Sequence, residues 1–77
     1  MFDAIITNPP IRAGKAALWR MFEGARRHLG PGGSFYMVMQ KKQGLDSACR
    51  ELERLYGGFA DIARKAGYHV IRAERQL

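Results

Sequence analysis

Apolar residues follow two different spacings along this chain. Phe2-Asp3-Ala4-Ile5-Ile6 is a nearly continuous apolar run, which predicts a buried strand over Met1 to Thr7. From Lys15 to Leu29 the spacing becomes helical. Leu18, Phe22, Ala25 and Leu29 recur on one side with Met21 beside them, and Arg20, Glu23, Arg26 and Arg27 lie mainly on the other. Arg26, Arg27 and His28 fall in the last turns, where cations suit the helix dipole. Gly30-Pro31-Gly32-Gly33 is expected to end the helix, through a left-handed glycine cap and a proline that forbids continuation. Ser34 to Gln40 is again continuously apolar and predicts a second strand buried on both faces.

A second helix is expected from Asp46 or Ser47 to Tyr56. Either residue can cap it, and Ala48, Leu52 and Leu55 form its inner stripe. Gly57-Gly58 stops it. Phe59 to Arg64 and Tyr68 to Glu74 predict a strand hairpin turning at Lys65-Ala66-Gly67. The fold class is therefore α/β, in the order β-α-β-α-β-β. Residues 1–77 form a single unit with no repeat, low-complexity stretch or linker.

Thr7-Asn8-Pro9-Pro10-Ile11 follows the first strand. Its two prolines stop regular structure and remove two backbone donors. Each residue before a proline is driven to extended conformations, so Asn8 and Pro9 are held out of the helical region. The corner offers acceptors, the Asn8 side-chain oxygen and the carbonyls of Asn8 and Pro9, to a ligand that brings N–H groups.

Strand–helix–strand units imply right-handed crossovers and parallel strands. Ligands then sit beyond the carboxyl ends of the strands. That rule puts three basic segments on one rim: Arg12 and Lys15, Lys41 and Lys42, then Arg64 and Lys65. Composition agrees. Thirteen Lys and Arg against seven Asp and Glu give a formal net charge of +6, which suits an anionic partner such as nucleic acid. A single cysteine, Cys49, excludes an internal disulfide, and no Cys/His set has metal-ligand spacing. A reducing, cytoplasmic setting is expected.

Seventy-seven residues are few for an α/β layer structure, which buries only about 60% of its unfolded surface at this size. The abrupt start inside a strand leads to the expectation of a piece of a larger domain. It also leads to the expectation of a homo-oligomer formed through the bare first strand.

Asn8-Pro9-Pro10-Ile11 resembles the Asn-Pro-Pro-aromatic motif of class I S-adenosylmethionine-dependent methyltransferases acting on amino nitrogens. Phe2-Asp3, the run from Asn8 to Lys15, Leu29-Gly30-Pro31-Gly32-Gly33, Gln40-Lys41-Lys42-Gln43-Gly44 and Gly67-Tyr68 extend the resemblance to the small-subunit ribosomal RNA guanine-N2-methyltransferase family. It covers essentially the whole chain, but only the C-terminal half of that family's catalytic domain.

The resemblance implies a partial Rossmann-like methyltransferase sheet. This chain would supply the fourth to seventh of seven strands, the last inserted antiparallel beside the second strand here. It implies that Asn8 and Pro9, with Pro10 stiffening the corner, act on the target amino group. Arg12, Lys15, Lys41 and Lys42 would contact ribosomal RNA phosphates. Ile11 stands where an aromatic is common and offers the base only an apolar face. Tyr68 is read either as a stacking substitute or as a core or interface tyrosine. No glycine-rich loop follows a strand and no acidic residue closes one to hold a ribose, so this chain alone is expected to bind S-adenosylmethionine poorly or not at all.

Two other readings stay open. One is a non-catalytic remnant that binds RNA or itself. The other is an amino-methyltransferase acting on adenine or protein glutamine. Trp19, Met21, Met37 and Met39 are read as core or interface, His28 as a helix-end cation, His69 as a strand residue and Cys49 as a small buried residue.

Overall fold

The apolar run after Met1 forms strand β1 (Phe2–Thr7) in the computed structural model, which describes residues 1–9 and 11–76. A short 3-10 turn at Ile11–Ala13 leads into helix α1 (Lys15–His28). Strand β2 (Leu29–Gln40), a second 3-10 turn at Lys41–Gln43 and helix α2 (Leu45–Tyr56) follow. Strands β3 (Ala60–Lys65) and β4 (Tyr68–Glu74) close the chain as a hairpin.

The sheet order is β1-β2-β4-β3. β1 and β2 pair in parallel, and β4 is antiparallel to both β2 and β3. β1, β2 and β3 therefore point one way, with β4 inserted against them between β2 and β3. This is the antiparallel insertion that the family resemblance implied.

Period-2 alternation decides which strand residues meet the helices. Phe35, Met37 and Met39 of β2 are buried with Ile71 and Ala73 of β4. Onto them pack Leu18, Phe22 and Ala25 from α1, and Ala48, Leu52 and Tyr56 from α2. The Tyr56 hydroxyl donates to the Phe22 carbonyl at 2.9 Å, which ties α2 to α1 through the core. Burial pushes the Tyr56 phenol up to about 12. Both helices cover the same face. On the other, Tyr36 and Val38 are only half-buried, so β2 is not buried on both faces as its apolar run predicted. At the outer edge, Phe2 and Ile6 remain 58% and 75% exposed.

Three local expectations are corrected. Gly30-Pro31-Gly32-Gly33 does not close α1 with a left-handed glycine. Leu29 is already extended (φ −80°, ψ 139°), and its N–H caps the Ala25 carbonyl. The glycine run belongs to β2, where it interrupts the pairing register with β1 between the Phe2–Leu29 and Ala4–Ser34 partners. Gly32 alone in this run takes a positive φ (80°). Its N–H donates to the Arg75 carbonyl at 2.9 Å, the Arg75 N–H donates to the Gly33 carbonyl at 2.8 Å, and the Arg75 guanidinium donates to the Leu29 carbonyl.

Neither Asp46 nor Ser47 caps α2. Gly44, in the left-handed region at φ 97°, passes the chain straight from the 3-10 turn into the helix, and Asp46 falls in the first turn, where its charge suits the dipole. Finally, β3 is shifted by one residue from the expected Phe59 to Arg64, which leaves Phe59 outside the strand.

Candidate nucleic-acid rim

β1, β2 and β3 all end on one rim, and β4 begins there. Register fixes this arrangement. Gln40, the last residue of β2, pairs with Tyr68, which also pairs with Lys65 at the end of β3. Thr7 closes β1 opposite Met37, three residues before the end of β2. With about 4.8 Å between neighbouring strands, the rim spans about 14 Å from β1 to β3.

Asn8 follows Thr7 directly and is exposed, while Pro9 is buried. A buried proline anchors the corner and leaves the carboxamide beside it open to a ligand. The Thr7 hydroxyl donates to the Met21 sulfur at 3.8 Å, which fastens the strand end to α1. Pro10 lies outside the described residues, as does the side chain of Ile11. Arg12 and Lys15 are exposed on the segment that leads into α1. Gly14 precedes α1 at φ 90° and supplies no side-chain cap, so the first-turn N–H groups stay open to solvent or an anion.

The second basic segment is more ordered than the loop expected from sequence. Lys41–Gln43 is a 3-10 turn in which the Gln43 side-chain oxygen accepts from the Gln40 N–H at 2.8 Å. The Gly44 N–H closes the turn on the Lys41 carbonyl at 3.3 Å. These bonds hold the turn while Lys41 and Lys42 project into solvent. A shallow pocket of about 320 Å³ lies here, lined by Gln40, Lys41, Lys42 and Gly67. The end of β2 and the β3–β4 turn thus meet over one concavity. Tyr68 stands beside it and is 41% exposed, which excludes a core role. Arg64 and Lys65 are exposed at the end of β3.

Of the remaining candidates, Met37, Met39 and Cys49 are buried, and Trp19 and Met21 pack partly against the core. His28 closes α1, its Nδ1 meeting the Gly24 carbonyl at 2.7 Å. Burial, then the charges of Asp46 and Asp61, push the Cys49 thiol up to about 11, which removes it as a nucleophile. Sequence reasoning missed one cluster. The His69 ring meets the Asp61 carboxylate at 2.6 Å across the hairpin. Their separation of eight residues carries no motif, and only the alternation of a hairpin could have signalled it.

Among the described residues, none of the segments following β1, β2 or β3 is a glycine-rich loop opening a helix with an acidic partner for a ribose. Among the same residues, no group of His, Cys, Asp and Glu is placed to hold a metal, and no helix is long and apolar enough to cross a membrane.

The family model described as "Methyltransferase small domain" matches residues 1–72. The uncharacterized protein YbxB of Bacillus subtilis is 43% identical over 74 residues, covering 96% of this chain and 37% of YbxB. The protein named ribosomal RNA large subunit methyltransferase G of Streptomyces avermitilis is 33% identical over 78 residues, covering 96% of this chain and 20% of that protein. Among solved structures, T. thermophilus RsmC, a 16S rRNA N2 methyltransferase in complex with AdoMet and guanosine, superposes with a TM-score of 0.90 at 25% identity. That match covers 99% of this chain and 20% of RsmC. A methyltransferase from Pyrococcus furiosus gives 0.79 at 26% identity over 97% of this chain and 41% of its own. The chain thus spans between about a fifth and two fifths of the length of each of these four relatives.

Proposed function

From the chain's membership of the methyltransferase small-domain family, a family of S-adenosylmethionine-dependent enzymes, we propose that it is the substrate-side half of an RNA methyltransferase domain, acting on a guanine exocyclic N2 of ribosomal RNA in the cytoplasm. The observation that carries this reading is the exposed Asn8 carboxamide beside a buried Pro9, on the rim that also bears Lys41 and Lys42.

The chemistry needs such a corner. An exocyclic guanine nitrogen shares its lone pair with the ring and is a poor nucleophile. The Asn8 side-chain oxygen and the Pro9 carbonyl each accept one of its N–H groups. Two fixed acceptors orient the nitrogen and favour pyramidal geometry as a new bond begins to form. No strong base is needed beforehand, which fits a corner without a carboxylate or imidazole. Pro10 and Ile11 follow in the same sequence motif, and Tyr68 offers a ring to the base. Arg12, Lys15, Lys41 and Lys42 neutralise phosphates without reading sequence.

With no glycine-rich loop opening a helix among its described segments after β1, β2 or β3, the chain on its own is expected to give no saturable heat with S-adenosylmethionine in the micromolar range by calorimetry. Its bare β1 edge is expected to self-associate, so light scattering should give a mass above the 8.7 kDa of one copy. Saturable heat, or a monomeric mass, would remove the corresponding part of the proposal.

The proposal is tested by a chimera in which this chain replaces the matching segment of YbxB. Incubated with labelled S-adenosylmethionine and unmodified ribosomal RNA, the chimera should yield N2-methylguanosine on nucleoside analysis. Label on adenine, or on a protein glutamine alone, would reassign the substrate. No transfer from a folded chimera would favour the non-catalytic reading.

A further inference from the structure

A second concavity lies on the helix-covered face, between α2 and the β3–β4 hairpin. Its volume is about 350 Å³, within the range of small-molecule sites. Leu45, Cys49 and Ile71 give it an apolar floor. At one end stands Phe59, left outside β3 and 42% exposed. In its wall, Asp61 and His69 hold each other at 2.6 Å. The opposite end reaches Lys41, with Arg50 on the α2 lip. Lys41 also lines the rim pocket, so the two concavities share a residue.

We infer that this groove is a second nucleotide subsite, which takes the unpaired nucleotide adjacent to the one held at the rim. The inference rests on the reading that the rim binds RNA. Its own support is the complement of groups in the groove. A nucleotide needs a face for its base, acceptors for its base N–H groups and cations for its phosphate. The Phe59 ring supplies the face, and base–aromatic stacking tolerates any base. His69 binds Asp61 through Nδ1, which leaves Nε2 and the second carboxylate oxygen for a base edge.

Charge sets the direction of the strand. α2 runs away from the rim, so Glu53 lies toward the Phe59 end and disfavours a phosphate there. At the rim end, Lys41 and Arg50 outnumber Asp46. The base therefore points to Phe59 and the phosphate toward Lys41, where the strand continues to Asn8. The half-buried imidazole, its side chain 15% exposed, gives this wall a fixed polar edge that a solvated loop would not have.

The test is a titration of the full 77-residue chain with a single-stranded RNA trinucleotide, followed by amide shifts in heteronuclear NMR spectra. Saturable shifts at Phe59, Asp61 and His69 are expected, alongside shifts at Asn8 and Lys41. Phe59→Ala should weaken binding roughly tenfold, while Phe59→Tyr should preserve it. Both variants should keep a dispersed spectrum, because the ring is partly exposed and outside the strand. A trinucleotide lacking the flanking base should lose the groove shifts and keep those at the rim.

Shifts confined to the rim would overturn the subsite and leave the rim reading intact. Groove shifts without rim shifts would remove the rim reading and, with it, the placing of this nucleotide next to one held there. Inorganic phosphate alone reproducing the groove shifts would overturn it, since a simple anion site would then suffice. No shift at either place up to millimolar trinucleotide would overturn both.

Discussion

Asn8→Ala, introduced into the YbxB chimera, is expected to lower the rate of methyl transfer by roughly 10²-fold or more, the usual cost of one hydrogen bond made in the transition state. At 1.36 kcal/mol per factor of ten, that corresponds to about 2.7 kcal/mol. The loss should fall on kcat more than on KM. In the proposed reading RNA is held largely by Arg12, Lys15, Lys41 and Lys42, and those contacts survive the substitution. Stability should change by no more than about 0.5 kcal/mol, because Asn8 is exposed. That separates the catalytic effect from unfolding. Asn8→Asp keeps an oxygen acceptor but adds a charge beside the target amine, so it should retain part of the activity. Single-turnover rates with saturating RNA read these effects directly. An unchanged rate for Asn8→Ala would take Asn8 out of the mechanism, and with it the proposed role of the corner.

Much of this site was legible because its logic is local. The apolar run before Asn8 made a strand, Pro9 is buried beside the exposed Asn8, and the next strand leads into the turn that carries Lys41 and Lys42. Parallel order then put both on one rim, as the register of β1 with β2 bears out. The placement of β4 between β2 and β3 was different. It came from the family resemblance, since no spacing in the chain dictates which strand a hairpin joins.

What could not be read depended on distant partners. The Gly30–Gly33 run has the composition of a helix stop. Its conformation is nevertheless set by Arg75, whose backbone bonds to Gly32 and Gly33 lie more than forty positions away in the chain. A side chain at Gly33 would also meet the Phe2 carbonyl at 3.1 Å and the Gly30 carbonyl at 3.0 Å, so the glycine there serves close approach of β1 and β2. The start of α2 was misread for a related reason. Asp46 and Ser47 are good caps in isolation, but Gly44 had already turned the chain and Gln43 had closed the preceding turn on Gln40. A bulge between Asp61 and Ala63 hid the Asp61–His69 pair, because it breaks the simple alternation from which facing residues are read.

The rim is only as firm as β2, which carries Gln40 and the two lysines after it, and the residue at the centre of that strand is Phe35. Its ring is 1% exposed and lies between two others. Phe22 meets it edge-on, with centroids 5.5 Å apart and planes at 69°. Tyr56 stacks on it at 5.9 Å and 23°. Phe35 thus joins α1, α2 and the sheet at one point. Phe35→Ala removes the ring and leaves a cavity that neither helix can fill without shifting, a change that costs about 3–5 kcal/mol. Total stability at ~0.05–0.15 kcal/mol per residue would be about 4–12 kcal/mol for a chain of this length. The substitution therefore removes a large fraction of it, and the variant should be partly unfolded at room temperature or melt at far lower urea. Val38, on the uncovered face of the same strand, is the control. Val38→Ala leaves no enclosed cavity and should cost about 1 kcal/mol or less. Urea melts followed by circular dichroism, at one protein concentration, compare the two. If both substitutions cost the same, the aromatic cluster is not the keystone of this sheet, and the rim must be held by pairing along β2 instead of by packing beneath it.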